Sequence, residues 1–137
     1  MQKLILDTNV VVSALISNSL PTKILYDVVL TREVEICLSD AVFAEYIEVL
    51  GREKFSRFLN FKAKAAIVLN TLKEISTLYE ITTTIEILKD TSDNKFLELV
   101  AASSADYLIT GNTLDFTLTK FESASIVTPR QYWDNHT

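Results

Sequence analysis

Leu4-Ile5-Leu6 is an uninterrupted apolar run that stops abruptly at Asp7-Thr8-Asn9. A strand with no polar residue in alternation has to be covered on both faces, which is the condition of a central strand in a parallel sheet. The rest of the chain alternates strand and helix patterns. Val10 to Ile16 has a helical pattern broken at Ser17-Asn18-Ser19, Pro21 marks the first position of a second helix through Leu30, and Glu33 to Leu38 alternates Val34, Ile36 and Leu38 as a second strand. Ser39 suits the N-cap of a helix with Val42, Phe43, Tyr46, Ile47, Val49 and Leu50 on its buried side, and Gly51 marks its end. From Arg52 to about Leu78 the pattern is helical again, with Arg52, Lys54, Arg57, Lys62 and Lys64 forming a basic stretch. Leu78 to Leu88, which contains Thr82-Thr83-Thr84, reads as loop or short edge strand. A capped helix follows from Ser92 or Asp93 to Ser103; Tyr107 to Thr110 is a strand, Gly111 a turn, and Ser125 to Thr128 a last strand closed by Pro129. Short strands separated by helices predict an α/β fold, a parallel sheet with helices on both faces. With no internal repeat or linker, residues 1–137 are expected to form a single domain.

Composition removes several kinds of chemistry. A chain of 137 residues that is 48% apolar can bury a core without a metal or disulfide staple. Its two glycines, Gly51 and Gly111, are too few for a dinucleotide-binding glycine fingerprint or a phosphate-cradling P-loop. Cys37 has no second cysteine to pair with and lies in an apolar-alternating stretch, where a small buried residue is expected. The one histidine, His136, is next to last in the sequence, where fraying is expected, so Ser-His-Asp and Cys-His catalysis lack a base and zinc lacks its usual ligands. No run approaches the roughly 20 apolar residues of a membrane span, and Met1 to Asp7 is too short for a signal peptide, so a cytoplasmic location is the expectation. The formal net charge of −5 is the wrong sign for affinity resting on a broad phosphate-binding surface.

The acids are placed more tellingly. In an open parallel sheet the binding crevice lies beyond the carboxyl ends of the strands, and Asp7 follows strand one directly. Asp7 would also serve as a turn or N-cap residue, although Thr8 and Asn9 cap equally well. Glu45 lies three residues after Val42 and four before Val49, at the margin of its helix's core-facing stripe, unless it is an ordinary surface glutamate. Asp93 opens a helix as a candidate ligand or as a first-turn acid; Asp90 reads as a loop acid, and Glu98 as a supporting or a solvated residue. Asn112 and Asp115 follow the Tyr107 strand. Several carboxylates converging with no His, Cys or nearby basic partner would repel one another, and a hard divalent cation relieves this. Oxygen-only ligation favours Mg²⁺ or Mn²⁺, and such a site suits phosphodiester hydrolysis by a metal-activated water. An aspartyl-phosphate mechanism on Asp7 would want a second acid two residues on, where the chain has Asn9.

Four motifs in order carry a family resemblance. They are Leu6-Asp7-Thr8-Asn9-Val10 with Ser13; Leu38-Ser39 followed by Glu45 and Val49-Leu50; Asp90-Thr91-Ser92-Asp93-Asn94-Lys95-Phe96-Leu97-Glu98-Leu99; and Ala105-Asp106 through Thr110-Gly111-Asn112, with Ile126-Val127-Thr128-Pro129 closing. Over essentially its whole length the chain resembles a PIN domain, of the bacterial and archaeal kind that includes toxins of toxin–antitoxin pairs and is related to the VapC ribonucleases. The resemblance implies a three-layer α/β/α fold around a mainly parallel sheet of four to five strands. It implies an endoribonuclease dependent on Mg²⁺ or Mn²⁺, with RNA as substrate, an antitoxin protein as partner, and a homodimer or higher even oligomer as the assembly. Asp7 and Asp93 would hold the principal ion, Glu45 would contact it directly or through water, and Asn112 or Asp115 would complete the site. Thr8, Asn9, Ser13 and Thr110 would position ligands or bind phosphate. Thr91 replaces the family's usual proline, and Asn112 stands where many members carry a fourth aspartate, with Asp115 the expected substitute. Asn112 favours the alternative of a PIN-fold RNA- or protein-binding module without cleavage; Asp7, Glu45 and Asp93 favour the enzyme. Two bound divalent ions, adding four charges, would move the formal net charge from −5 to −1, and the Arg52–Lys64 stretch would offer phosphate a local track or simply a solvated face.

Overall fold

The computed structural model describes residues 1–88, 90–111 and 118–136, and only the backbone of residue 136. Its strands are β1 (Lys3–Leu6), β2 (Glu35–Leu38), β3 (Thr77–Leu78), β4 (Tyr107–Ile109), β5 (Lys120–Phe121) and β6 (Ala124–Val127). They form one sheet in the order β3-β2-β1-β4-β6-β5, parallel throughout except for β5, which pairs antiparallel with β6. The sheet is wider than the four to five strands expected because β3 and β5, two residues each, are too short to leave a periodic signal. The chain leaves β1 toward β2 and later returns on the other flank as β4, so the winding reverses between β1 and β4 and a crevice opens at their carboxyl ends. Leu6 is in register with Ile109, so the two strands end level.

Helices α1 (Thr8–Ile16), α2 (Leu20–Lys23), α3 (Asp40–Leu50), α4 (Phe61–Ile75), α5 (Asn94–Ser103) and α6 (Pro129–His136) cover the sheet in a three-layer α/β/α arrangement. Leu4 and Ile5 have no exposed surface, as their uninterrupted apolar pattern requires. Cys37 on β2 is equally buried, and burial pushes its thiol up to about 11, so it packs as a small apolar side chain. The Ser39 side chain caps α3 by accepting the Val42 N–H at 3.2 Å, and Gly51 occupies its C-cap.

Four local expectations need correction. The stretch from Pro21 to Leu30 is not one α-helix: after α2 it widens into a π-helical turn, Ile24–Val29, which lets Ile24, Leu25, Val28 and Val29 all reach the core. The Arg52–Leu78 stretch is interrupted too. A 3₁₀ turn at Glu53–Phe55 and a left-handed Asn60 (φ 59°) precede α4, and asparagine is among the residues that tolerate that conformation. Ile47 is 51% exposed rather than buried, because it sits one position past the inward face that Tyr46 occupies on α3. Pro129 opens a helix instead of merely closing a strand. The Thr128 hydroxyl accepts the Gln131 N–H at 3.1 Å while the Gln131 side chain accepts the Thr128 N–H at 2.9 Å, a reciprocal cap with proline at the first helical position. Tyr132 of α6 is fully buried against Tyr107, ring edge to face at 5.4 Å.

Tyr46, fully buried on α3, donates its hydroxyl to the Leu6 carbonyl at the end of β1. Burial, reinforced by the nearby Asp7 and Glu45 charges, raises its pKa well above the ordinary tyrosine value, which keeps the phenol a neutral donor. Tyr46→Phe keeps the ring and strips this bond, and is expected to lower the unfolding free energy by about 1–3 kcal/mol in a denaturant titration. An unchanged midpoint and slope would show that the bond contributes nothing to the α3–β1 junction.

Candidate active site

Asp7 is the first residue beyond β1 and stands at the N-cap position of α1, but its side chain makes no capping bond. Its Oδ2 instead accepts the hydroxyl of Thr110 at 2.7 Å, across the crevice from the residue that follows β4. The Asp7 backbone N–H donates to the Ile109 carbonyl at 2.9 Å, extending the β1–β4 ladder to the lip of the crevice. Asp7 is 6% exposed and Thr110 not at all, so the pair replaces water that the carboxylate has lost. Next to it, Asn9 Oδ1 accepts the Gly111 N–H at 3.1 Å. A Cβ at Gly111 would lie 3.3 Å from that oxygen, a close approach that suits glycine.

Glu45 projects from the middle of α3 with both carboxylate oxygens engaged. Oε2 accepts the Thr8 hydroxyl, and Oε1 meets Lys95 Nζ at 2.7 Å, with side-chain exposures of 19% for Glu45 and 25% for Lys95. The expectation that no basic group approaches the acids is therefore overturned. Lys95 lies fifty residues away in sequence, and α5 packing beside α3 brings the two together.

The 90–99 segment divides its work residue by residue. Asp90 Oδ1 accepts both the Ser92 hydroxyl at 2.7 Å and the Ser92 N–H at 3.0 Å, bonds that hold its carboxyl below the usual carboxylate range and cap the 3₁₀ turn Thr91–Asp93. Asp93 ends that turn at the N-cap of α5, again with no side-chain capping bond. Asn94 Oδ1 accepts the Leu88 N–H at 2.9 Å and Glu98 Oε2 accepts the Ile85 N–H at 3.0 Å, pinning an irregular segment along α5. Phe96, Leu97, Leu99 and Val100 fill the core.

Asp7, Thr8, Asn9, Glu45, Asp90 and Asp93 line one open cleft of about 310 Å³, together with Arg52, Lys54 and Phe55. Ser13 and Glu98 do not line it. Asn112 and Asp115 lie outside the described residues. Sequence reasoning missed Lys95 and Tyr46 as parts of this region; no local pattern marks either, since each works across helices.

The acids and their polar neighbours in the cleft offer oxygen donors only, a hard set that fits Mg²⁺ or Mn²⁺ and not zinc. Among the described residues no three Asp, Glu, His or Cys side chains stand close enough together to hold an ion. Arg52 and Lys54 line the same cleft, and from beside it the Lys95 ammonium pairs with Glu45. The donor chemistry of the cleft thus suits a hard divalent ion, while the described side chains are not drawn together around one.

Thr110→Val replaces the hydroxyl by a methyl of equal size and leaves a buried carboxylate short of a donor. It is expected to destabilise the protein by about 1–3 kcal/mol, and most of that loss should disappear when the same change is made in Asp7→Ala, which has no acceptor. Additive losses in this double-mutant cycle would show that the two side chains are not coupled.

Known proteins resemble the chain at three levels. The family model described as PIN domain matches residues 3–114. The uncharacterized protein MJ1680 of Methanocaldococcus jannaschii is 30% identical over 111 residues, which are 80% of this chain and 70% of that protein. In the crystal structure of VapBC2 from Rickettsia felis bound to a DNA fragment from their promoter, one chain superposes with a TM-score of 0.59 at 14% identity, over 93% of this chain and 98% of that one. At that identity the likeness is one of fold. With its sheet order, its cleft beyond β1 and β4, and a family match over most of its length, this chain belongs to the PIN domain family.

Proposed function

We propose that this protein is a divalent-metal-dependent endoribonuclease, using Mg²⁺ or Mn²⁺, and that it is the toxin of a toxin–antitoxin pair. The observation that carries the reading is the meeting of Asp7, Glu45, Asp90 and Asp93, from three separate segments, in one cleft at the carboxyl ends of the strands. A divalent ion in such a cleft lowers the pKa of the attacking water and neutralises charge developing on the phosphoryl oxygens. Asp7 and Asp93 would hold the principal ion. Glu45 would contact it directly or through water, and Asn112 or Asp115 would complete the set. Thr110 fixes the orientation of the Asp7 carboxylate through its 2.7 Å bond, and Thr8 does the same for Glu45. Asn9, which lines the cleft, is assigned to positioning phosphate or ligands, and Ser13 lies outside that lining.

The four acids of the cleft outnumber its two basic side chains, so an anionic substrate would need the divalent ion as well as those bases. Arg52 and Lys54 share the cleft with the acids. Arg52 is held by Glu48, Nη2 to Oε2 at 2.8 Å, whereas Lys54 rests over the Phe55 ring at 5.1 Å, a pairing of cation and aromatic face suited to a single-stranded nucleic acid. An antitoxin partner is proposed on the likeness to VapBC2, and a homodimer or higher even oligomer with the family resemblance. No helix among the described residues is long and apolar enough to cross a membrane.

Asp7→Asn and Asp93→Asn are each expected to abolish Mn²⁺ binding in calorimetry and to lower cleavage across a panel of RNAs by more than about a hundredfold, with stability unchanged or raised because a repelling acid is gone. A wild type that binds RNA without cleaving it would favour the non-cleaving module, the reading that the engaged state of Glu45 also favours. Light scattering at micromolar concentration should report a homodimer or a higher even oligomer; a monomer throughout that range would contradict the proposed assembly.

A further inference from the structure

We infer that Lys95 is a built-in counter-ion that competes with the divalent cation for Glu45 and so sets the affinity of the cleft for metal. The inference rests on the metal-binding part of the function proposed above. Lys95 Nζ lies 2.7 Å from Glu45 Oε1, and both side chains are largely shielded from solvent, so the attraction is not screened away as it is for a surface pair. The other Glu45 oxygen is occupied by the Thr8 hydroxyl. A divalent ion reaching Glu45 therefore meets one oxygen that already accepts a hydroxyl and another that already holds a positive charge. Leaving Lys95 in place sets two cations against each other a few ångströms apart, so its departure is the favoured route.

The surroundings permit that departure. Lys95 carries its charge on a flexible four-carbon stem, so the ammonium can swing while α5 stays fixed. Its helix is anchored independently by the adjacent Asn94, bonded to Leu88, and by buried Phe96 and Leu97. On its other side Lys95 lines a second pocket that also holds Glu86 and Glu98, where a displaced ammonium meets carboxylates again. In the resting state the ion pair thus keeps the acids compatible with one another, and in the loaded state the same lysine has an anionic place to go.

The test is calorimetric titration of Mn²⁺ into the wild type, Lys95→Met, Lys95→Gln and Lys95→Arg, with thermal unfolding of each in the absence of metal to confirm the fold. Lys95→Met and Lys95→Gln should bind Mn²⁺ about tenfold or more tightly than the wild type, because the competing charge is gone, and Lys95→Arg should stay within about threefold of it. Two uncharged replacements are used so that a folding defect in one leaves the comparison standing. Equal or weaker binding by the uncharged variants, with wild-type binding intact and lost in Asp7→Asn, would overturn the inference and leave the nuclease reading in place. Absence of binding in the wild type and in every Lys95 variant would overturn both.

Discussion

A carboxylate that is only 6% exposed has given up most of its water, and the surrounding protein has to replace it. Asp7 is in that position because β1 is shielded on both faces and ends against β4, leaving its next residue at the bottom of the crevice. The features around it are arranged accordingly. β4 ends level with β1, which brings Thr110 to Oδ2; Asn9 ties down the Gly111 backbone; Tyr46 fixes the last carbonyl of β1; and Thr8 reaches from the first turn of α1 to Glu45. Side chains from α1, α3 and the residues just beyond β1 and β4 are thereby tied to one another and to the strand ends. Preorganisation of this kind holds acids together in a geometry they would not choose by themselves, because mutual repulsion drives unsupported carboxylates apart.

Much of this was legible in the chain itself. The apolar run of β1 and its abrupt end, the Ser39 cap and the Gly51 stop of α3, and the apolar spacing of α5 are local signals, and the elements stand within a residue or two of where those signals put them. The corrections come from two sources. Some signals carry two meanings: Thr128-Pro129-Arg130-Gln131 ends a strand and also starts a helix with a reciprocal cap. Others have no local signature at all. Two-residue strands such as β3 and β5 exist because a neighbouring strand offers its edge, and the π-helical turn after α2 follows from the need to bury four side chains in two adjacent pairs.

The same distinction holds in the cleft. Asp7, Glu45 and Asp93 are marked by their positions relative to strand ends and helix starts, which one segment at a time can reveal. Lys95 and Tyr46 act on partners 50 and 40 residues away, and only the packing of α5 on α3 and of α3 against β1 makes those pairs. Lys95 also changes the electrostatic argument. Acids with no resident cation would have to be relieved by metal from the outset; acids with one can be assembled by folding first and loaded later.

The hydroxyl of Tyr132 in α6 donates to the Gln2 side chain at 3.1 Å, joining one end of the described chain to the other. Gln2 precedes β1, so this junction lies at the opposite end of the parallel strands from the Asp7 cleft. That bond anchors α6 to the residue that leads into β1, at the strand ends remote from the acids, so it braces the sheet without touching the cleft.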